Sequence, residues 1–420
     1  MKENIILTKK GKSVGGTIEL TGSKSECNRA LIIEALSKGK VRVENVSDAM
    51  DTYTLQKMLQ SNLKSQKFGD AESQIDIGPA GTAMRFLTAY LTLQSNTVTL
   101  TGSERMKQRP IGILVNALRE LGAHIEYVEN EGFPPLKIKG GFEQQSEKIN
   151  IKGDISSQYI TALLLIASQL PQGLILYIEG ELTSRPYVEM TLAMLRQAGI
   201  QHQWIGNSIH IPHQEFKETS LPVEPDWSAA SYWYSIAALA DEAELFLPGL
   251  TAYSLQGDSV ITEIMANFGI TSQFINGGVH LKKEPKPLGR KIFDLKSCPD
   301  LAQTVIVVCA ALGHDATFTG LETLKIKETD RVKALQNELA KISVKLIEKG
   351  QVYKLDCSEK FIPEKIFVNT YDDHRMAMAL APLALLIPEI EVEDYMVVEK
   401  SYPAFWEDLR KVGFEFEVKA

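Results

Sequence analysis

The chain has 420 residues with a net charge of −8, 44% hydrophobic and 23% charged residues, the balance of a soluble globular protein of two or three domains. The negative charge argues against a nucleic-acid surface, which takes a basic face, so any anion site has to be built locally by gathering Lys and Arg. The cysteines Cys27, Cys298, Cys309 and Cys357 form no C-x-x-C pair and no cluster with histidine, so zinc and dithiol chemistry find no support and reduced thiols in a cytoplasmic protein are expected.

In chain order, residues 1–12 lack the apolar core of a signal peptide. Small or polar residues then lead into an apolar, helix-like run six times, at 25–33, 81–87, 156–163, 226–232, 300–306 and 373–379. The starts lie roughly 55 to 75 residues apart, too long for a solenoid repeat and right for a supersecondary unit. A second, more amphipathic helix follows in each, at 52–59, 111–121, 187–197, 260–267, 331–341 and 404–411. Gly122, Gly199 and Gly413 read as C-caps running into alternating strands. The expected unit is strand, buried helix, strand, exposed helix, strand, strand.

The first helices are apolar nearly all round, as at 305–312 and 377–387, so protein should enclose them. The longest apolar run, 376–387, contains Pro382 and falls short of the roughly 20 residues of a membrane span. Three units make a domain of about 200 residues, and two such domains leave a cleft between them. Helix N-termini carry free N–H groups and partial positive charge. Gly81-Thr82, Ser156-Ser157-Gln158 and Asp373-His374-Arg375 stand at such starts, near Arg and Lys, and favour a phosphorylated substrate.

The segment Lys327-Glu328-Thr329-Asp330-Arg331 carries the most chemistry. Two cations four residues apart can reach one phosphate or carboxylate, and an anion there shifts the proton affinity of Glu328 between them. The plainer reading of the same residues is a charged helix start with Thr329 as N-cap and Asp330 in the first turn. Asp226 reads as an N-cap, His374 as a structural histidine in a polar loop, Cys27 as small-residue packing, and Trp227, Tyr232, Trp233 and Tyr234 as core.

Gly22-Ser23-Lys24-Ser25-Glu26-Cys27-Asn28-Arg29-Ala30, Gly81-Thr82-Ala83-Met84-Arg85, Arg105-Met106-Lys107-Gln108-Arg109-Pro110, Ser156-Ser157-Gln158, Ser184-Arg185-Pro186-Tyr187, Pro299-Asp300, residues 327–331, Asp373-His374-Arg375-Met376-Ala377-Met378 and Lys400 run in order along nearly the whole chain. In this ordered set the chain resembles the 5-enolpyruvylshikimate-3-phosphate synthase family of enolpyruvyl transferases. The resemblance implies an α/β fold, a two-domain inside-out α/β barrel of six βαβαββ units, three per domain. Domain I would comprise 1–20 and 226–420, domain II 21–225, with the active site in the inter-domain cleft and closure of the domains over the ligands.

The activity implied is transfer of the enolpyruvyl group of phosphoenolpyruvate to the 5-hydroxyl of shikimate 3-phosphate, releasing phosphate, on the way to chorismate and the aromatic amino acids. No metal, cofactor, nucleic acid or membrane is expected, and the family norm is a cytoplasmic monomer. By motif position Lys24, Gly81, Arg109, Gln158, Arg331, Arg375 and Lys400 should hold phosphoenolpyruvate. Lys24, Ser25, Arg29, Ser156, Ser157, Gln158, Ser184, Asp300 and Lys327 should hold shikimate 3-phosphate. Asp300 matches the family's base, Glu328 its proton donor, and Lys24 an aid to the departing phosphate.

Four positions depart from the common pattern. Pro79 stands before Ala-Gly-Thr in place of Asn, Phe86 follows Met-Arg in place of Pro, Thr323 replaces an Asn that contacts shikimate 3-phosphate, and Asp372 replaces an Asn before Asp-His-Arg. The first two put the loop's shape, and with it glyphosate sensitivity, in question. The nearest rival is the sister enzyme acting on UDP-N-acetylglucosamine, whose reactive cysteine is missing from residues 102–110, where Glu104 stands. A catalytically inactive anion-binding homologue is the other, and it would need neither Asp300 nor Glu328.

Overall fold

The computed structural model describes residues 3–65, 73–154 and 156–419. It shows the expected mixed α/β repeat. Among the described residues, five four-stranded sheets share one strand pattern, a parallel pair extended by an antiparallel pair; in four of them the antiparallel pair is a hairpin, and in the fifth it is made of Asn4–Lys9 and Phe414–Lys419. In one of them Lys148–Lys152 pairs parallel with Leu174–Glu179, which pairs antiparallel with Ser208–Ile211, and that strand with Gln203–Ile205. The sixth pairing places Val41–Glu44 parallel to Thr219–Pro222.

The parallel pairs need a crossover, and in each four-stranded sheet an apolar helix supplies it. Ser157–Ala167 and Ala302–Leu312 are buried on nearly every residue, as an all-round apolar sequence requires. The second helices bury one stripe. Gly112–Leu121 encloses Leu114, Val115, Ala117, Leu118 and Leu121 and stops at Gly122, which takes φ +113°. Asn276-Gly277, both at positive φ, form the two-residue turn between Ile270–Ile275 and Gly278–Lys283, the turn type that matches strand twist.

The chain divides into two compact units, residues 1–23 with 224–420, and residues 24–223. In the first unit Asn4–Lys9 pairs antiparallel with both Phe414–Lys419 and Glu389–Val392, so the N-terminal strand completes the C-terminal sheet. Ser23 donates its amide to Glu224 at 2.7 Å and Asp226 to Thr21 at 2.9 Å, pairing the two segments by which the chain leaves and re-enters this unit. Trp227, Tyr232, Trp233 and Tyr234 are all buried in its core.

Several boundaries differ from the sequence reading. The helix start at 327–331 is capped by Asp330, whose carboxylate accepts from the Lys333 amide at 3.0 Å, and not by Thr329. The apolar run 377–387 is two pieces, the α-helix His374–Leu380 and the 3₁₀ helix Ala381–Leu385, because Pro382 has no N–H to continue the α ladder. Residues 260–267 break into Gly257–Val260, Ile261–Met265 and Ala266–Phe268. The helix read at 52–59 runs Met50–Ser65. His374 is 1% exposed, the first residue of a buried helix and no part of a polar loop. No helix among the described residues is long and apolar enough to cross a membrane.

Candidate active site

In the unit formed by 1–23 and 224–420, the sequence-predicted residues converge on Arg331, itself 2% exposed. Its Nε donates to Asp373 Oδ2 at 2.7 Å and its Nη2 to Asp373 Oδ1 at 3.3 Å. Nη2 also reaches Glu328 at 3.0 Å and Nη1 reaches Asp300 at 3.4 Å. Lys400 Nζ lies 3.0 Å from the other Glu328 oxygen, and Arg375 Nη2 lies 3.0 Å from Asp300 Oδ2. Burial by itself would lower the proton affinity of Arg331, but Asp373, Glu328 and Asp300 more than offset this and raise it.

Local sequence explains the convergence. Asp373 caps His374–Leu380 by accepting the Arg375 amide at 2.9 Å, so one carboxylate fixes both the helix start and the Arg331 fork. Glu328 lies in the bend just before the cap Asp330, outside the helix Arg331–Ala340, and that bend folds its carboxylate back onto Arg331 at the helix's first residue. Asp300 lies in the 3₁₀ turn Pro299–Leu301 that leads into Ala302–Leu312. Asp300 and Glu328 stay partly open, at 17% and 13% exposure, whereas Asp373 is sealed. Lys327 is half-buried next to Glu328. Asp226 is a plain N-cap, accepting from Ser228 at 2.7 Å.

The unit 24–223 gathers a different set. Lys24 opens the helix Lys24–Leu36 and pairs with Asp51 at 3.2 Å. Arg29 on the same helix is buried; its Nε donates to the Thr191 hydroxyl at 2.9 Å, and its other nitrogens to Thr161 and to the carbonyls of Ser25 and Tyr187. Its hydrogen-bond partners among the described residues are hydroxyls and carbonyls. Burial pulls its proton affinity down to about 10, against weaker support from Tyr187 and Glu26. Its guanidinium lies 5.5 Å from the Phe86 ring centre and 5.6 Å from that of Tyr187, so Phe86, one of the four departures, gives this cation an aromatic face.

Gly81 starts the buried helix Gly81–Thr92 with no side-chain cap at Ala80. Its missing side chain leaves room for the Arg109 guanidinium: a Cβ there would come 2.6 Å from Arg109 Nη1. Arg109 donates its backbone amide to the Met106 carbonyl at 3.1 Å, and the carbonyl of the next residue, Pro110, accepts from Tyr159 at 2.5 Å and Arg85 at 3.0 Å. The Gln158 amide reaches the Thr82 hydroxyl at 3.4 Å, which joins two of the three predicted helix starts. Ser156 caps its helix by accepting the Gln158 amide at 3.3 Å, and Ser157 is buried beside it. Ser184 is an N-cap in the left-handed region at φ 54°, making no side-chain capping bond. A strained residue whose hydroxyl does no capping suits a ligand contact. Pro79 lies exposed in the turn before Ala80.

Sequence reasoning missed Asp51, Thr161 and Thr191, and it read Asp373 only as part of a helix start. Their partners are distant in sequence, and no local spacing announces them. No group of three or more His, Cys, Asp or Glu among the described residues is placed to hold a metal ion. Cys27 is buried, and burial pushes its thiol up to about 11, with the Ser47 amide opposing and Glu26 and Glu34 adding.

Residues 8–409 match the family model described as EPSP synthase (3-phosphoshikimate 1-carboxyvinyltransferase). A Bacteroides fragilis 3-phosphoshikimate 1-carboxyvinyltransferase is 47% identical over 96% of this chain and 97% of its own length. One from Sodalis glossinidius is 35% identical, covering 94% of each chain. Among solved structures, EPSP synthase from Acinetobacter baumannii superposes with a TM-score of 0.78 at 19% identity over the whole of both chains. An enolpyruvyl transferase from Streptomyces tendae does so with 0.72 at 15% identity, over 100% of this chain and 99% of that one.

Proposed function

Because the chain belongs to the EPSP synthase family, we propose that the cluster around Arg331 and the helix starts around Gly81 are the residues with which it carries out that family's reaction. The chain is a 3-phosphoshikimate 1-carboxyvinyltransferase, transferring the enolpyruvyl group of phosphoenolpyruvate to shikimate 3-phosphate in the shikimate pathway. The observation that carries the residue assignment is the pairing of both Asp300 and Glu328 with the one buried Arg331. A site that only held anions would gain nothing from two carboxylates that cancel its cations. Two acids kept partly open beside three cations are suited to moving protons next to bound anions.

In the proposed addition step the 5-hydroxyl oxygen attacks C2 of phosphoenolpyruvate and Asp300 takes its proton. The carbon–carbon π electrons accept a proton from Glu328 at C3, which becomes a methyl group. In the elimination Glu328 takes that proton back, the C2–O bond to phosphate breaks with its electron pair on oxygen, and Lys24 assists by donating to that oxygen. Arg331, Arg375, Lys400 and Arg109 neutralise the charge that accumulates. Glu328 is held between Arg331 and Lys400. An arriving anion competes for those cations and favours the protonated carboxyl that a donor needs. Ser25, Arg29, Ser156, Ser157, Ser184 and Lys327 take the shikimate 3-phosphate side, with Gln158 serving both ligands. Buried Arg29, whose hydrogen-bond partners among the described residues are hydroxyls and carbonyls and which burial strips of proton affinity despite the nearby Glu26, supports this because an anionic ligand would stabilise its charge.

The direct assay is phosphate release from phosphoenolpyruvate without added metal, with shikimate 3-phosphate in one reaction and UDP-N-acetylglucosamine in another. Release with shikimate 3-phosphate alone is expected. Release with the nucleotide sugar alone would assign the chain to the sister activity, and silence with both would make it an inactive anion binder.

Gly81→Ala tests the phosphoenolpyruvate side. The contact it creates is with the end of a flexible side chain, so Arg109 moves and the fold holds. The Michaelis constant for phosphoenolpyruvate should rise about tenfold with that for shikimate 3-phosphate nearly unchanged. Equal constants for both substrates in variant and parent would remove Arg109 from this role.

A further inference from the structure

Arg375 is gripped from two sides. Asp300 draws Nη2 to its carboxylate at 3.0 Å and Nη1 to its carbonyl at 3.3 Å. On the other side Ser228 Oγ accepts from Nη2 at 3.4 Å and the Tyr232 hydroxyl from Nη1 at 3.3 Å. Ser228 and Tyr232 are four residues apart on the helix Trp227–Leu239 and so share a face. Behind Ser228 lies Asp258, in the 3₁₀ turn Gly257–Val260 and 3% exposed, whose Oδ2 accepts a short hydrogen bond from the Ser228 hydroxyl.

A serine hydroxyl has one proton. With that proton committed to Asp258, the lone pairs of Ser228 Oγ are left for Arg375. The arrangement is costly, because Asp258 Oδ1 is buried with no hydrogen-bond partner among the described residues, and such groups are rare without a functional reason. Burial pushes the Asp258 carboxyl up to about 7, with Asp300 and Asp226 adding and Arg375 and Ser228 opposing. An apolar residue would fill the same position without this penalty.

We propose that Asp258 is a positioning residue for the reaction: through Ser228 it orients the Arg375 guanidinium that receives phosphoenolpyruvate, fixing the guanidinium from the side opposite Asp300. This rests on the assignment of Arg375 to phosphoenolpyruvate made above. Asp258 touches neither substrate in this scheme, and Ser228 transmits its effect.

The test compares Ser228→Ala, Asp258→Asn, their double variant and Arg375→Lys, with the Michaelis constant of each substrate and the turnover number measured separately. Ser228→Ala and Asp258→Asn should each raise the constant for phosphoenolpyruvate about fivefold, leave that for shikimate 3-phosphate within about twofold, and be non-additive in the double variant. Arg375→Lys should exceed both. Equal rises for the two substrates, full additivity, or a loss of thermal stability with unchanged constants would overturn the inference. Ser228→Ala carries the decision if Asp258→Asn does not fold. An Arg375→Lys enzyme with a normal phosphoenolpyruvate constant would instead remove the underlying assignment.

Discussion

Glu328→Gln and Asp300→Asn should each lower turnover by about 10²- to 10⁴-fold, the range of a lost general acid or base, while the protein stays folded and binds phosphoenolpyruvate at least as well as before. The two halves of this expectation come from the same geometry. Each substitution keeps the size of the side chain and a carbonyl oxygen to accept from Arg331, at 3.0 Å for Glu328 and 3.4 Å for Asp300. Each also removes a negative charge from a cluster in which Asp300, Glu328 and Asp373 balance Arg331, Arg375 and Lys400. The surplus positive charge favours an anion. If the carboxylates were only counter-ions, binding would tighten and turnover would persist. Steady-state kinetics with both substrates varied separates the cases, and retained turnover in both variants would end the acid–base assignment.

The repeat was legible because burial is written into local composition. A helix such as Ala302–Leu312 has no polar face, so it can only be a crossover inside the protein, and glycines such as Gly122 mark where the amphipathic partners stop. The charged cluster was legible in part. Glu328 and Arg331 are close in sequence, one in the bend before the helix and one opening it, but Asp373 lies 42 positions from the arginine it clamps, and Lys24 lies 27 from Asp51. Such pairs are made by packing, and no periodicity carries them. Thr329 reads as the cap with Asp330 in the first turn, but the helix begins one residue later, at Arg331, which makes Asp330 the cap. Phe86 read as a disturbance beside the phosphoenolpyruvate loop, yet it is buried next to Arg29. Its direction could not be known before the helix Gly81–Thr92 was set against Lys24–Leu36.

Asp373→Ala should produce the largest loss of stability, about 3–5 kcal/mol, the scale seen when one partner of a buried ion pair is removed. Asp373 is 0% exposed and does two jobs. It holds Arg331 through two nitrogens, and it caps His374–Leu380 through the Arg375 amide. Alanine leaves a sealed guanidinium with only the longer or more open contacts to Asp300 and Glu328, and it uncaps a helix whose first turn carries Arg375. The cap alone is worth about 1 kcal/mol, so the guanidinium should dominate. Asp373→Asn, which can still accept the Arg375 amide, should lose less than alanine does. Urea denaturation measures the difference as a shift in midpoint at unchanged slope. Because residues 1–23 with 224–420 form a unit of their own, two separate transitions are possible, and only the one belonging to that unit should move. A midpoint within 1 kcal/mol of the parent in free-energy terms would mean that Asp300 and Glu328 suffice to hold Arg331. Asp373 would then be a cap and nothing more, and the orientation of Arg331 toward the two acids would need another cause.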